Sequence, residues 1–560
     1  MYESRPWLRH YGDVPHSLDY PETTMYEAVM RTVAVCPDAP AWDFMGTVAT
    51  YRELREQVDR CADALAGLGL RQGDAITISM PTSPPGVIAF YAANKLGAVA
   101  SMIHPLSTRN EIEHYVRLSK SRFVLTLDLF HETLVEVQRA TGFERLILVH
   151  PADGLPLALR ALYWLKQGRK LRRPPYGRQV IAYDELLRRK HRRVARAAVD
   201  ADAPAAILYS GGTTGTPKGI LLSNRNFICE GMMCGRWVGL DRDHPGMLAL
   251  LPLFHGFGLG ICIHAVLMAG GTAILVPRFE PEKVGAIVRR KRPNYLVGPP
   301  TLFAALAESR SFRRADLSCL RATFSGADSL PRPVKERFEA VVREGGGNVR
   351  LLQGYGLTEA VTAIMASPLE GSHEDSIGLP FPDMLAKVVR RGSTEEAAAG
   401  EEGEICVSGP AVMLGYLEAP EENARVLQRH EDGRRWLHTG DLGSMDEDGF
   451  FYFKLRLKRM IKSSGMNVYP TQVEARILEH PAVREVCVIG VPDERQVERV
   501  RAVVVPTDPA RAGEALEREI IEHCRETLIR WSCPREVEFR DALPRTRVGK
   551  IAYKQLEEDA

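Results

Sequence analysis

The stretch AAILYSGGTTGTPKGILLS constrains the fold more than any other, because an apolar run enters a loop of small and hydroxylated residues and a second apolar run leaves it. That pattern predicts a strand, a loop and another strand. Gly211, Gly212 and Gly215 let backbone amides approach a ligand closely, Ser210, Thr213 and Thr214 offer hydroxyl donors, and Lys218 offers charge. Polyphosphate is the ligand such a loop suits. The stretch lacks the GK[ST] ending at a helix start that marks a Walker loop, and it is not a dinucleotide-binding fingerprint. Taken alone, it is equally compatible with a glycine-rich hairpin that holds no ligand.

A chain of 560 residues exceeds what one hydrophobic core usually supports, which predicts two or more packed units. From Tyr51 onward, helix-like stretches such as YRELREQVDRCADALAGL alternate with short apolar runs such as DAITISM and SRFVLTL. The alternation predicts a layered α/β architecture with parallel or mixed sheets. Apolar runs at 272–276, 295–297 and 322–324 each abut Gly-, Pro- or Ser-rich turns, where such folds place ligand contacts. After the strand-like GFFYFKLRLKRMIKS, a self-contained run of helices and strands continues to Ala560, so a small terminal unit of about 100 residues is expected.

Hydrophobic residues at 45% and charged residues at 26% exclude a disordered or fibrous chain. A net charge of +2 gives no electrostatic reason to expect a nucleic-acid partner. The cysteines are scattered, and the nearest pair, Cys229 and Cys234, lacks zinc or redox spacing, so reduced thiols and a cytoplasmic location are expected. The opening MYESRPWLRHYGDVPHSLDY carries charges and prolines where a signal peptide needs an apolar centre. One local charge excess lies at 160–196, where ALYWLKQGRKLRRPPYGR and LLRRKHRRVAR contain few acids. Its mixture of Leu, Tyr and Trp with Arg and Lys suits peripheral contact with anionic lipid, and a solvated insertion is the simpler alternative. The sequence leaves the oligomeric state open.

Further motifs follow the glycine-rich loop in order: LPLFHGFG, FSGADSLP, QGYGLTEA, GEICVSGPAVMLGYL, the TGD ending at Asp441, LRLKRMIKSSGMNVYPTQVE and PRTRVGKIAYKQL. With the opening RPWLRHYGDVPHSLDYPE, they resemble the adenylate-forming superfamily over nearly the whole chain, and bacterial long-chain fatty-acyl-CoA synthetases in particular. The resemblance implies a large multi-layer adenylation domain at 1–455 and a smaller, mobile α+β domain at 456–560, with a hinge near Lys458. It implies ATP, Mg²⁺ and coenzyme A, and a small carboxylic acid as substrate.

By the same resemblance, Tyr355, between Gly354 and Gly356, lies against adenine, with Gly326 and Ala327 bordering the ring. Thr358 stands beside the phosphates and Glu359 on magnesium, a hard cation that a carboxylate suits. Asp441 accepts from the ribose hydroxyls with Arg456 assisting, and His255 stands near the reacting carboxylate. Lys550 of RVGKIA bridges carboxylate and phosphate during adenylation. Gly465 lies in the loop that approaches the pantetheine, where a side chain would block access. The chain departs from the family at Leu455, where a small or acidic residue is usual, and at Ala552 and Tyr553, where an arginine normally follows.

A carboxylate is an unreactive acyl donor, so the implied chemistry joins it to AMP before a thiol displaces the nucleotide. The implied activity is an ATP-dependent acyl-CoA synthetase. Gly356 stands where acetate-specific relatives carry a large aromatic, and Gly256, Gly258 and Ala360 are expected to reduce bulk near the acyl channel, which favours a medium- or long-chain fatty acid. Transfer to a carrier protein is the near alternative. A luciferase-like oxygenase and a noncatalytic nucleotide-binding protein are more distant ones.

Overall fold

The computed structural model describes the chain apart from residues 1, 164, 166–173, 211–216, 241–242, 457–458, 464–465, 494–496 and 547–549. The apolar runs become strands of two large sheets. One has nine strands, with Gly246–Ala249, Thr272–Leu275, Tyr295–Gly298, Ala322–Ser325 and Leu351–Gly356 running parallel. The other has eight, among which Ala75–Ser79, Val99–Met102, Ser121–Leu127 and Arg145–Val149 are parallel. Parallel strands covered on both faces carry continuous rather than alternating apolar sequence, and all of Ala75–Ser79 is buried.

Helices cover these sheets for reasons visible in their sequences. Tyr51–Gly67 starts with a capping box between Thr50 and Glu53 and buries Tyr51, Leu54, Val58, Cys61 and Leu65 along one stripe. Pro84–Lys95 has no polar stripe and is buried all round. Its Phe90 meets Phe227 of helix Asn224–Val238 with ring centroids 6.2 Å apart.

The predicted strand, loop and strand form an antiparallel pair, Pro204–Ser210 with Lys218–Ser223, in which Ser210 stands opposite Lys218. Gly211, Gly212, Thr213, Thr214 and Gly215 lie outside the described residues.

A third sheet contains Leu385–Val389, Gly403–Ser408, Leu427–Arg429, Arg435–Met445 and Phe451–Arg456. Arg456, which the sequence reading put at the start of the terminal unit, is the last residue of a strand in this sheet. Beyond it, Val483–Asp493 and Val497–Pro506 pair within a further five-stranded sheet. The pleat sends Val486 and Val488 to a core with Val473, Ile477 and Ile520, and sends Cys487 and Ile489 to the opposite face with Leu543 and Leu556. Lys458 and Gly465 lie outside the described residues.

In the basic stretch, Arg169, Lys170, Arg172 and Arg173 also lie outside them. Arg188 pairs with Asp184, Arg189 with Glu185 and Arg196 with Glu27, which offsets part of the charge excess. Among the described residues, no helix is long and apolar enough to cross a membrane.

Candidate active site

A cavity of about 1890 Å³ opens where the two large sheets, the third sheet and the terminal unit meet. The described residues expected to meet the nucleotide, the metal or the reacting carboxylate line it: Ser210, Lys218, His255, Gly326, Ala327, Gly354, Tyr355, Gly356, Thr358, Glu359, Asp441, Arg456 and Lys550. They come from stretches separated by more than half the chain, so chain topology rather than local sequence assembles the set.

In the region expected to take the nucleotide, Asp441 and Arg456 stand opposite each other on adjacent antiparallel strands. Arg456 Nε lies 3.0 Å from Asp441 Oδ1, and the Tyr355 hydroxyl donates to Oδ2 at 2.8 Å. Burial raises the Asp441 carboxyl above its usual range, and the Arg456 cation opposes that rise. Oδ1 is buried and, among the described residues, makes no hydrogen bond of good geometry despite its ion pair, so it keeps acceptor capacity for a ligand hydroxyl. Leu455, the departure from the family pattern, is fully buried, because strand alternation turns it into the core and Arg456 toward the cavity.

Gly326 packs tightly beneath this region, with a Cβ there falling 3.1 Å from the Gly354 carbonyl oxygen and 3.6 Å from the Phe257 ring. Ala327 next to it adopts φ +71°, a left-handed backbone that costs a non-glycine residue energy and is retained at functional turns.

In the region expected to face the phosphates, Thr358 and Glu359 form a short 3₁₀ turn soon after the strand Leu351–Gly356. The Tyr416 hydroxyl donates to Glu359 Oε1 at 2.8 Å. Glu359 remains partly accessible, and one carboxylate that leaves room for water and phosphate oxygens suits Mg²⁺, which keeps much of its own shell. Lys218 forms an ion pair with Glu422.

His255 precedes a π-helical stretch, Phe257–Ala265, and its Nδ1 accepts from the Phe257 amide at 3.1 Å. That bond puts the ring proton of the neutral form on Nε2. Burial lowers the imidazole to about 4, with the Lys550 ammonium adding to the effect, so His255 is neutral near pH 7. Lys550 enters from the terminal unit, where its amide donates to Thr546 Oγ1 at 3.1 Å and its carbonyl accepts from the Thr546 amide at 2.7 Å. Burial lowers its ammonium below the ordinary lysine range, Arg456 adds to that, and Asp328, Asp441 and Glu359 oppose it.

The acyl-channel glycines behave differently from the sequence expectation. A Cβ at Gly256 would fall 1.8 Å from the Val361 carbonyl oxygen, one at Gly258 2.2 Å from that of Pro252, and one at Gly356 1.6 Å from that of Thr362. These positions are small because backbone packs on backbone. Ala360 is fully buried and does not line the cavity. The open apolar arm is walled instead by Trp237, Leu240, Met247, Ile261, Ile377 and Phe381.

Sequence reasoning missed Tyr416, although it lies within the quoted GEICVSGPAVMLGYL, and it missed Arg459. That arginine pairs with Glu474 at 2.5 Å and lies 4.9 Å over the ring of Tyr553, the residue that replaces the expected arginine region.

The sequence model of the AMP-binding enzyme family matches residues 29–417, and that of the AMP-binding enzyme C-terminal domain matches 472–550. A long-chain-fatty-acid–CoA ligase of Bacillus subtilis (strain 168) is 33% identical over 573 residues, covering 100% of this chain and 99% of its own. One of Salmonella typhimurium (strain LT2) is 34% identical over 568 residues, covering 99% and 98%. The crystal structure of ATP-bound MatB from Rhodopseudomonas palustris superposes with a TM-score of 0.83 at 25% identity, over 96% of this chain and 99% of that one. With matches of this extent on both parts of the polypeptide, the chain belongs to the AMP-binding enzyme family.

Proposed function

We propose that the protein is an ATP-dependent acyl-CoA synthetase that converts a medium- or long-chain fatty acid to its acyl-adenylate, releases pyrophosphate, and then transfers the acyl group to coenzyme A. The observation that carries this reading is one cavity lined both by the Asp441, Glu359 and Lys550 cluster and by apolar side chains that include Trp237 and Phe381. The similarity to long-chain-fatty-acid–CoA ligases supports the choice of acid.

In this reading the acid's carboxylate attacks the α-phosphorus, and pyrophosphate leaves in line. The Lys550 ammonium bridges the attacking carboxylate and the α-phosphate, where negative charge accumulates. His255 offers its Nε2 proton to the carboxylate oxygen that does not attack. Tyr355 and the Gly326–Ala327 turn flank adenine, Asp441 accepts hydrogen bonds from the ribose hydroxyls with Arg456 assisting, and Ser210, Lys218 and the glycine-rich loop hold the polyphosphate. Glu359 would hold Mg²⁺, which neutralises phosphate charge when bound. The thiol step needs Lys550 withdrawn, which we assign to rotation of 456–560 about a hinge near Lys458, with Gly465 then lining the pantetheine path. The enzyme works in the cytoplasm, and peripheral contact of 160–196 with anionic lipid is a second reading beside that of a solvated insertion.

The test is a panel of straight-chain acids with Mg·ATP, followed by pyrophosphate release with and without CoA. Release that rises with chain length, and acyl-CoA formed only with CoA, is the expected result. No acid-dependent release would overturn the reading, and an adenylate indifferent to CoA would redirect it to a carrier-protein thiol.

A further inference from the structure

The segment Met413–Asn423 frames Glu359 from two sides. The Met413 amide donates to the Glu359 backbone carbonyl at 2.8 Å, and the Tyr416 hydroxyl donates to the Glu359 side chain at the same distance. Tyr416 is itself fixed: Asn423 Oδ1 accepts from its amide at 2.6 Å, and Asn423 Nδ2 donates to its carbonyl at 2.8 Å. The short strand that carries it, Gly415–Tyr416, pairs antiparallel with the strand leaving the glycine-rich loop, placing Tyr416 opposite Ile220. Lys218, the first residue of that strand, holds its ammonium 5.0 Å from the centre of the Tyr416 ring while pairing with Glu422. Arg425 also reaches Glu422, at 2.5 Å.

One aromatic side chain therefore touches both charged groups of the phosphate end. A donor of fixed position removes rotational freedom from the carboxylate before any metal arrives and leaves its other oxygen available. The ring face gives the lysine a second resting contact beside Glu422, from which a polyphosphate can draw it.

We propose that Tyr416 is a positioning residue for the metal-bound polyphosphate, its hydroxyl aiming the Glu359 carboxylate and its ring holding the Lys218 ammonium. The proposal rests on the reading of Glu359 as the magnesium ligand. Tyr416→Phe keeps the ring and deletes only the donor. Binding of Mn²⁺ to the full-length protein with a nonhydrolysable ATP analogue, read by electron paramagnetic resonance, separates the cases. Tyr416→Phe weakens Mn²⁺ about tenfold, as expected for loss of a hydrogen bond to a charged group, and leaves the affinity for metal-free analogue unchanged. Unchanged Mn²⁺ affinity overturns the proposal, as does an equal loss of both affinities, which would mark a merely structural tyrosine. Wild-type protein that binds analogue but no Mn²⁺ would instead refute the role of Glu359 itself.

Discussion

Arg456 and Asp441 face each other across adjacent antiparallel strands with Nε 3.0 Å from Oδ1, and the carboxylate side chain is only 2% exposed while the guanidinium is 53% exposed. The pair is thus half wet, and its worth lies in keeping a buried acceptor ionised. Burial already raises the Asp441 carboxyl, and the guanidinium is the strongest influence against it. Arg456→Ala should raise it further and weaken ATP about tenfold near neutral pH. The deficit should widen as pH falls, because the protonated carboxyl accepts ribose hydroxyls poorly. Equilibrium ATP binding at several pH values checks this, and Arg456→Lys should restore most of the affinity.

Lys550 is drawn into the cavity from a different unit than the groups around it, which makes the half-reactions separable. Lys550→Ala should slow adenylation by roughly a hundredfold or more, equivalent to about 3 kcal/mol, and spare thioester formation from supplied acyl-AMP. Because burial lowers the ammonium, the wild-type adenylation rate should fall on the alkaline side at a lower pH than an ordinary lysine would give. In Lys550→Arg that alkaline limb should disappear, since guanidinium does not lose its proton there. Pyrophosphate release against pH reads both effects.

His255 carries a stability signature as well as a role. Its ordinary value of 6.5 drops to about 4 in the folded chain, so the folded state resists protonation more than the unfolded state does. Its contribution is complete above pH 6.5 and is lost as pH falls through the interval down to 4. His255→Gln should therefore reduce the difference in urea-unfolding free energy between neutral and mildly acidic buffer by about 1–2 kcal/mol, allowing for its partial exposure. An unchanged difference would show that His255 is more solvated than its packing implies.

The sequence made the strands legible where burial on both faces imposed short apolar runs, as at 123–125 and 273–275. It made the site legible where resemblance supplied the roles, and the fold then brought Lys550 and His255 close enough for one charge to act on the other. Gly256 and Gly258 stand outside the cavity lining, which sequence does not reveal because a missing side chain looks the same there whether it faces a ligand or a carbonyl oxygen 1.8 or 2.2 Å from where a Cβ would sit. Tyr416 went unnoticed for a related reason. Its importance comes from two partners, Glu359 and Lys218, that lie 57 and 198 residues away in sequence.

The same limit applies to chain length, which the sequence reading tied to small residues, whereas a large one, Trp237, stands in the apolar lining. Trp237 lines the apolar arm, and its Nε1 donates to the Ser367 carbonyl at 3.1 Å. Tyr11 from the opening segment meets it edge-on with ring centroids 5.2 Å apart, and Phe381 lies at the same distance. The indole is held in three directions and cannot swing aside without breaking its hydrogen bond, so it acts as a wall. Trp237→Ala should let longer acids bury more methylenes, each contributing about 0.8 kcal/mol or roughly a fourfold gain in kcat/KM. The optimum in a homologous series of straight-chain acids should move upward, with Trp237→Phe intermediate and the ATP KM unmoved. If the optimum stays in place while all acids lose equally, Trp237 supports the fold and the acyl end lies elsewhere in the cavity.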